Sequence, residues 1–537
     1  MTQQPQQQFI ILPENMMRTR GRDAQGQNIL AARVMAEIVK TTLGPRGMDK
    51  MLVDSTGDVT ITNDGATIVE SINVEHPAAK MVVEVAKTQD EEVGDGTTTA
   101  VMLVGELLTN AEKLLEQSIH PTVIVRGYRM AAQKAQDIID SVGKPITLKD
   151  TALLMEIAGT SMTGKSAEAQ KEILSDLTVK AVRQVAEEAN GKVKVDRDTI
   201  AIEKKAGGSI ADSELINGVV LDKERATPGM PKKAADAKIA LVDSPFEIKK
   251  TETDAKIRIT STDQLLAFGE QEEKILKDKV DAIVKSGANV LFCQKGIDDI
   301  ALHYLTKAGI LTVKNVSGDD IKKLSKATGA TIASNLKALT AKDLGYAKTV
   351  EEIKIGGDEM IFVRDCKNPK AVAILARGGT EHVVDEIDRS LKDAVGSVAT
   401  AVEAGKVVAG GGSIEIEVAR EIRKYAETIG GREQLAVQEF ADALESIPKQ
   451  LAKSAGMDTI DTLVKLRAEH EKKGGQTIGV NVFKAETADM WQIGVIEPTR
   501  TKINALRSAT EASVLILRID DVIASGKKGG GGAPGME

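Results

Sequence analysis

The chain has 537 residues, 42% of them hydrophobic, 28% charged and only 2% aromatic, with a net charge of −8. That length suits about three or four domain-sized units, whose cores must be aliphatic. The acidic balance argues against a nucleic-acid partner, which needs clustered positive charge. No run approaches the roughly 18 apolar residues of a membrane span.

Met1 to Gln8 is polar and lacks the apolar core of a secretory signal, so a cytoplasmic protein is expected. Gln8-Phe9-Ile10-Ile11-Leu12 is strand-like. Ile29, Ala32, Ala36, Val39 and Leu43 recur at helical spacing, and the pattern predicts a helix that stops at Gly44-Pro45. Thr60 to Gly65 predicts a short strand running into a tight turn that presents Asp64.

Gly94-Asp95-Gly96-Thr97-Thr98-Thr99 suits a polyphosphate and its metal. Glycines can adopt the positive φ angles that turn successive N–H groups toward one point. The helix that follows, striped by Val101, Val104, Leu108, Ala111 and Leu115, leaves its first N–H groups unpaired at a positive dipole end. Threonine hydroxyls add donors, and Asp95 offers a hard oxygen suited to Mg²⁺. It is not a Walker A loop, because no Gly-Lys-Ser/Thr ending follows. Taken alone, the stretch can also be read as a capped turn before a helix.

From about Gly218 to Arg377 the texture changes. Strand-like runs such as Lys238 to Val242, Asn289 to Phe292 and Ala371 to Leu375 alternate with helices, as in an α/β unit with a buried sheet. A charged insert between Pro245 and about Val284 carries Glu247 to Glu252, then Leu265, Leu266 and Phe268. Leu276, Val280, Ile283 and Val284 follow as one helical stripe, and residues 275–284 are expected to pack on their own domain. Further on, long helical patterns run from Ile414 to Ile429 and from Ala436 to Ala468, and Val514 to Ile519 is strand-like. Cys293 and Cys366 are isolated and the five histidines show no ligand spacing, so neither a zinc site nor a Cys-His mechanism is expected. Trp491 reads as a packing residue.

Thr42-Leu43-Gly44-Pro45, Thr60 to Gly65 and Gly94 to Thr99 stand in the order and approximate spacing found in chaperonins, as do Asp393, Gly410-Gly411-Gly412 and Gly494 to Thr499. The chain thus resembles that family over nearly its whole length. Thr160 to Lys165, resembling a nucleotide-sensing loop, and the glycine-rich tail Gly529 to Glu537 are more similar to the group II branch of archaea and the eukaryotic cytosol. The resemblance implies a multidomain α and α/β chaperonin fold. A mainly helical equatorial ATP-binding domain would comprise residues 1–150 and 409–537. A small intermediate hinge domain would comprise 151–217 and 376–408. An α/β apical substrate-binding domain would comprise 218–375, with a helical lid protrusion at about 245–284.

It also implies an ATP-dependent chaperone that encloses non-native proteins. Asp95 would hold Mg²⁺, and Gly94, Gly96, Thr97, Thr98 and Thr99 would bind the phosphates. Thr42, Leu43, Gly44 and Pro45 would approach the nucleotide, and Gly411 and Glu497 would face the adenosine. Asp393 resembles the carboxylate that polarises the attacking water, with Asp64 beside it and Lys165 as a γ-phosphate sensor. Identical or paralogous subunits would form two stacked rings of eight or nine, stitched by terminal strands; an intrachain sheet of those strands is the alternative. Two other functions stay open on the residues alone. One is a metabolic enzyme transferring phosphate through the same loop; the other is a holdase without productive hydrolysis.

Overall fold

A computed structural model describes residues 16–165, 168–189, 191–247, 262–367 and 369–525. The strand-like run Gln8 to Leu12, the insert after Glu247, the side chains of Leu265, Leu266 and Phe268, and the tail Gly529 to Glu537 lie outside the described residues. The chain divides into two compact units, Met1–Lys144 with Val407–Glu537, and Pro145–Lys406.

The first unit is mainly helical. Its N-terminal part holds α1 (Gly21–Lys40), α2 (Gly65–Ser71), α3 (Pro77–Val93), α4 (Thr97–Glu116) and α5 (Pro121–Val142). As the composition requires, the core is aliphatic: Ile29, Val39, Val82, Val101, Val104, Leu108 and Ile124 are all buried in it. Helices α1 and α4 pack closely because Gly105 has no side chain; a Cβ there would stand 2.3 Å from that of Ala36. One of the few aromatic contacts sets Tyr128 edge-on to Phe440 at 5.6 Å, with the Tyr128 hydroxyl donating to the Leu107 carbonyl at 2.7 Å. Helix α1 ends at Lys40, short of the expected stop at Gly44. The Thr42 hydroxyl bonds back to the Val39 carbonyl at 2.8 Å, the local competition by which threonine interrupts helices. Leu43 therefore packs on the core from the turn beyond the helix.

The second unit contains α6 (Thr151–Met162), α7 (Lys171–Val185), α8 (Thr262–Ser286), α9 (Asp299–Lys307), α10 (Gly318–Thr328) and α11 (Glu381–Ala404). Its seven-stranded sheet is mixed. Strand Lys233–Val242 runs parallel to Val290–Cys293, which runs parallel to Leu311–Val313. On its other side, Lys233–Val242 pairs antiparallel with Gly345–Ile355, followed by Asp358–Cys366 and Val219–Leu221. Both faces are covered, so the central strands read as continuous apolar runs. Ile239, Leu241, Val290 and Phe292 pack with α10, while Ala240, Val242, Leu291 and Cys293 pack with α8 and α9. Leu276, Val280 and Ile283 are buried on α8 as expected, whereas Ile275 and Val284 are exposed. The run Ala371 to Leu375 does not join this sheet. Its strand, Val372–Gly378, pairs with Ile200–Ala206 and Glu214–Ile216 in a separate three-stranded sheet. Both cysteines are buried and free.

The chain returns to the first unit with α12 (Ser413–Glu427), α13 (Glu433–Leu444), α14 (Ser446–Ser454), α15 (Thr459–His470) and α16 (Thr499–Leu517). The single long pattern from Ala436 to Ala468 is therefore three helices, broken at Glu445 and at Gly456, which has φ +74°. Val514 to Leu517 is not a strand but the end of α16, with Val514, Ile516 and Leu517 buried and Leu515 exposed. The terminal strand is Asp521–Ser525, which pairs antiparallel with Met16–Arg20 of the same chain and adds an Arg18–Asp521 ion pair.

Candidate functional site

The loop between α3 and α4 is built by two left-handed glycines. Gly94, at φ +72°, closes α3 with its N–H on the Asp90 carbonyl, and Gly96, at φ +80°, opens α4. No side chain caps α4, so its first amides point out of the helix end as anion donors. Asp95 folds back through Oδ1 onto the Gly96 N–H at 2.6 Å. Beneath it, the fully buried Gln89 donates from Nε2 to the Asp95 carbonyl at 2.7 Å.

Asp64 arrives at this loop from α2. The turn expected to present it is the start of that helix. Asp64 is the N-cap, accepting from the Thr67 N–H at 2.8 Å and its hydroxyl at 2.7 Å. Its other oxygen accepts from the Thr97 hydroxyl at 3.3 Å. Gly65 makes the approach possible, since a Cβ there would stand 2.6 Å from Thr98 Oγ1 and 2.8 Å from Thr98 N. Asp64, Asp95, Thr97 and Thr98 thus form one cluster of hard oxygens and backbone donors. Among the described residues, no three His, Cys, Asp or Glu side chains converge to hold a metal. A cation here would complete its shell with phosphate oxygens and water, the habit of Mg²⁺.

A second cluster lies at Gly410 to Gly412, where Gly411 and Gly412 have φ +63° and +79°. A Cβ on Gly410 would meet Glu497 Oε1 at 2.5 Å, and one on Gly411 would meet Met490 Sδ at 2.4 Å. Gly412 and Gly44 both press on α14, at Pro448 and Leu451, which ties the Thr42 to Pro45 turn to this cluster. Glu497 binds Lys502 at 2.5 Å, and Lys502 also binds Glu415 at 2.9 Å. Burial pushes the Glu497 carboxyl up, helped by the charges of Glu415 and Asp95 and opposed by Lys502. Burial works against the Lys502 ammonium, but the two carboxylates outweigh it and hold its pKa above the ordinary lysine value. The influence of Asp95 on Glu497 links the two clusters electrostatically.

Asp393 and Lys165 belong to the second unit, on α11 and in the turn after α6. They form an ion pair with both side chains largely buried. Sequence reasoning missed Gln89, Lys502 and Met490. Gln89 alone gave a signal: it falls on the buried face of α3 with Val82, Val85, Ala86 and Val93.

The TCP-1/cpn60 chaperonin family model matches residues 35–527. A thermosome subunit from Pyrococcus horikoshii is 58% identical over 539 residues, 99% of this chain and 98% of that protein. One from Methanopyrus kandleri is 60% identical, covering 96% and 95%. An open-state group II chaperonin monomer from Methanococcoides burtonii superposes with TM-score 0.60 at 49% identity, over 80% of this chain and 100% of that one. The fold and these matches define an ATP-using chaperonin, and the chain belongs to the TCP-1/cpn60 chaperonin family, in its group II branch. It is an ATP-hydrolysing molecular chaperone that acts on non-native proteins and works as part of an oligomeric ring. This decides against both the phosphate-transferring metabolic enzyme and the non-hydrolysing holdase.

Proposed function

We propose that residues 1–150 and 409–537, as the equatorial domain, bind Mg²⁺-ATP on the Gly94 to Thr99 loop. The observation that carries this is the cradle itself: a helix N-terminus with no side-chain cap, entered through two left-handed glycines, with Asp64 set against Thr97 at 3.3 Å. Asp95 holds the metal, which supplies charge neutralisation to the β- and γ-phosphates. Thr97, Thr98 and Thr99 donate to phosphate oxygens, Gly94 and Gly96, whose N–H groups are held by the Asp90 carbonyl and Asp95 Oδ1, shape the loop that lines the phosphates, and Thr42, Leu43, Gly44 and Pro45 approach the nucleotide from the α1 turn. Gly411 and Glu497 face the adenosine; the Lys502 contact orients the Glu497 carboxylate for ribose hydroxyls.

Asp393 orients the attacking water, Asp64 assists it, and Lys165 senses the γ-phosphate. The Lys165–Asp393 ion pair supports treating these two as one element. They belong to the other compact unit; in this reading closure completes the site, and ATP favours the closed arrangement by contacts the open one lacks. Residues 151–217 and 376–408 serve as the intermediate hinge. Residues 218–375 serve as the apical domain, whose protrusion at about 245–284 closes over a client in the cytoplasm. Two stacked rings of eight or nine identical or paralogous subunits form the chamber.

Particle mass and ATPase rate, measured for this chain and for Asp393→Ala, test the reading. A particle near a megadalton whose hydrolysis nearly vanishes in the variant is expected. A particle of a few subunits overturns the chamber, and undiminished hydrolysis in an assembled variant removes Asp393 from the chemistry.

A further inference from the structure

The amide of Gln89 is at the end of a directed hydrogen-bond chain. Arg507 Nη2 donates to Asn504 Oδ1 at 2.5 Å and pairs with Glu92 at 3.1 Å. Asn504 Nδ2 donates to Gln89 Oε1 at 3.0 Å. Gln89 Nε2 then donates twice, to the Asp95 carbonyl at 2.7 Å and the Thr501 carbonyl at 3.2 Å. A guanidinium can only donate, so Arg507 fixes the orientation of Asn504, and Asn504 fixes that of Gln89. Every amide in the chain has one orientation that satisfies its partners. Both Gln89 and Asn504 are buried, at 0% and 3% exposure, where an unmade hydrogen bond is costly. The same amide nitrogen would lie 3.1 Å from a Cβ on Gly96, beside the Thr501 methyl at 3.0 Å, so it braces the Asp95–Gly96 peptide from behind.

We propose that Gln89 is a positioning residue for the nucleotide site. By gripping the Asp95 carbonyl it fixes the peptide that aims the Asp95 carboxylate and the first amides of α4, and the Arg507–Asn504 relay keeps it in the donating orientation. This rests on the reading of Asp95 as the metal-holding residue. Both Gln89 donations go to backbone carbonyls, so it acts through the Asp95 peptide and not directly on the ligand. Its removal therefore weakens the metal-dependent part of nucleotide binding and leaves chemistry in the filled site nearly intact.

The test is calorimetric binding of ADP with and without Mg²⁺ to the assembled particle, together with ATPase at saturating ATP. Gln89→Leu removes both donors. Asn504→Asp keeps an ion-pair partner for Arg507, preserving the packing, but presents only acceptors to Gln89 and so turns its amide away from Asp95. Each is expected to lower the Mg²⁺-dependent gain in ADP affinity by about tenfold, with kcat changed less than threefold. The double variant is expected to be no worse than Gln89→Leu, because both act through one bond. A purely structural role would lower thermal stability and leave the Mg²⁺ gain untouched; that result in either assembled variant overturns the proposal. If Gln89→Leu fails to assemble, Asn504→Asp decides alone. Asp95→Asn is the separate control. Retention of the Mg²⁺ gain there sinks the reading of Asp95, whatever Gln89 does.

Discussion

Gly65→Ala adds one methyl group where α2 meets the Gly94 to Thr99 loop. The new Cβ would lie 2.6 Å from Thr98 Oγ1, 3.0 Å from Thr97 Oγ1 and 2.8 Å from Thr98 N. The hydroxyls can rotate away, but Thr98 N is backbone at the start of α4. Ordinary contact begins near 3.4 Å, so the two segments must part by the difference from 2.8 Å, about 0.6 Å. Such overpacking costs about 1–3 kcal/mol. Alanine is the better helix former by about 1 kcal/mol in a helix interior, and Gly65 has no positive φ to lose, so the net loss of stability is at most about 2 kcal/mol. The displacement falls on Asp64, whose 3.3 Å contact to Thr97 must lengthen. A misplacement of 1 Å at a reacting group costs about 10²-fold in rate, so 0.6 Å implies a fall in kcat of roughly tenfold. The assay is steady-state ATPase of the assembled particle, beside ADP affinity and the unfolding temperature. Wild-type kcat in Gly65→Ala would refute the placement of Asp64 in the chemistry. A drop in unfolding temperature larger than that loss accounts for would instead refute the claim that helix propensity offsets part of the overpacking.

Lys165→Met, which removes the ammonium held against Asp393, is expected to lower kcat by roughly 10²-fold with ADP affinity within threefold. Lys165→Arg should recover part of that rate, and pre-steady-state phosphate release separates chemistry from binding. Gly105→Ala sets a Cβ 2.3 Å from that of Ala36 and should destabilise the first unit by about 1–3 kcal/mol. Adding Ala36→Gly relieves the clash at a helix cost of about 1 kcal/mol, so hydrogen exchange in α1 and α4 should slow again in the double variant. Glu203 gives a pH dependence. Burial pushes its carboxyl from 4.5 to about 7, helped by Asp320, Asp222 and Asp388 and opposed by Lys323. Between those values the folded state binds more protons than the unfolded one, so stability falls as pH rises through that window and levels off above it. Glu203→Gln should flatten the slope and raise the unfolding temperature at pH 8; an unchanged pH profile would count against the burial of that charge.

What could be read from the sequence was what the local backbone enforces. Gly94 and Gly96 had to take left-handed angles for the loop to close, and they do. The stripe on α4 had to face a core, and it does. Where local signals compete, the reading slipped. Gly44 looked like a helix stop, but the Thr42 side chain had already ended the helix by bonding to Val39. Val514 to Ile519 is continuously apolar up to its arginine, and such a run has the same texture in a buried strand and a buried helix end. Asp393 carries no local mark at all, because its partner Lys165 is 228 residues away.

Gln89 differs from all of these. A polar side chain on the apolar face of α3, spaced with Val82, Val85, Ala86 and Val93, violates the pattern that makes the helix amphipathic. Leucine would fill that face with helix propensity as good as glutamine's. It would also leave the Asp95 carbonyl without the 2.7 Å bond that braces it and Asn504 Nδ2 without an acceptor. Glutamine meets its desolvation cost with three hydrogen bonds, which tie the Asp95 carbonyl to Thr501 and Asn504 of α16. The mismatch with the stripe is therefore the mark, in one dimension, of a backbone carbonyl that must be held in place in three.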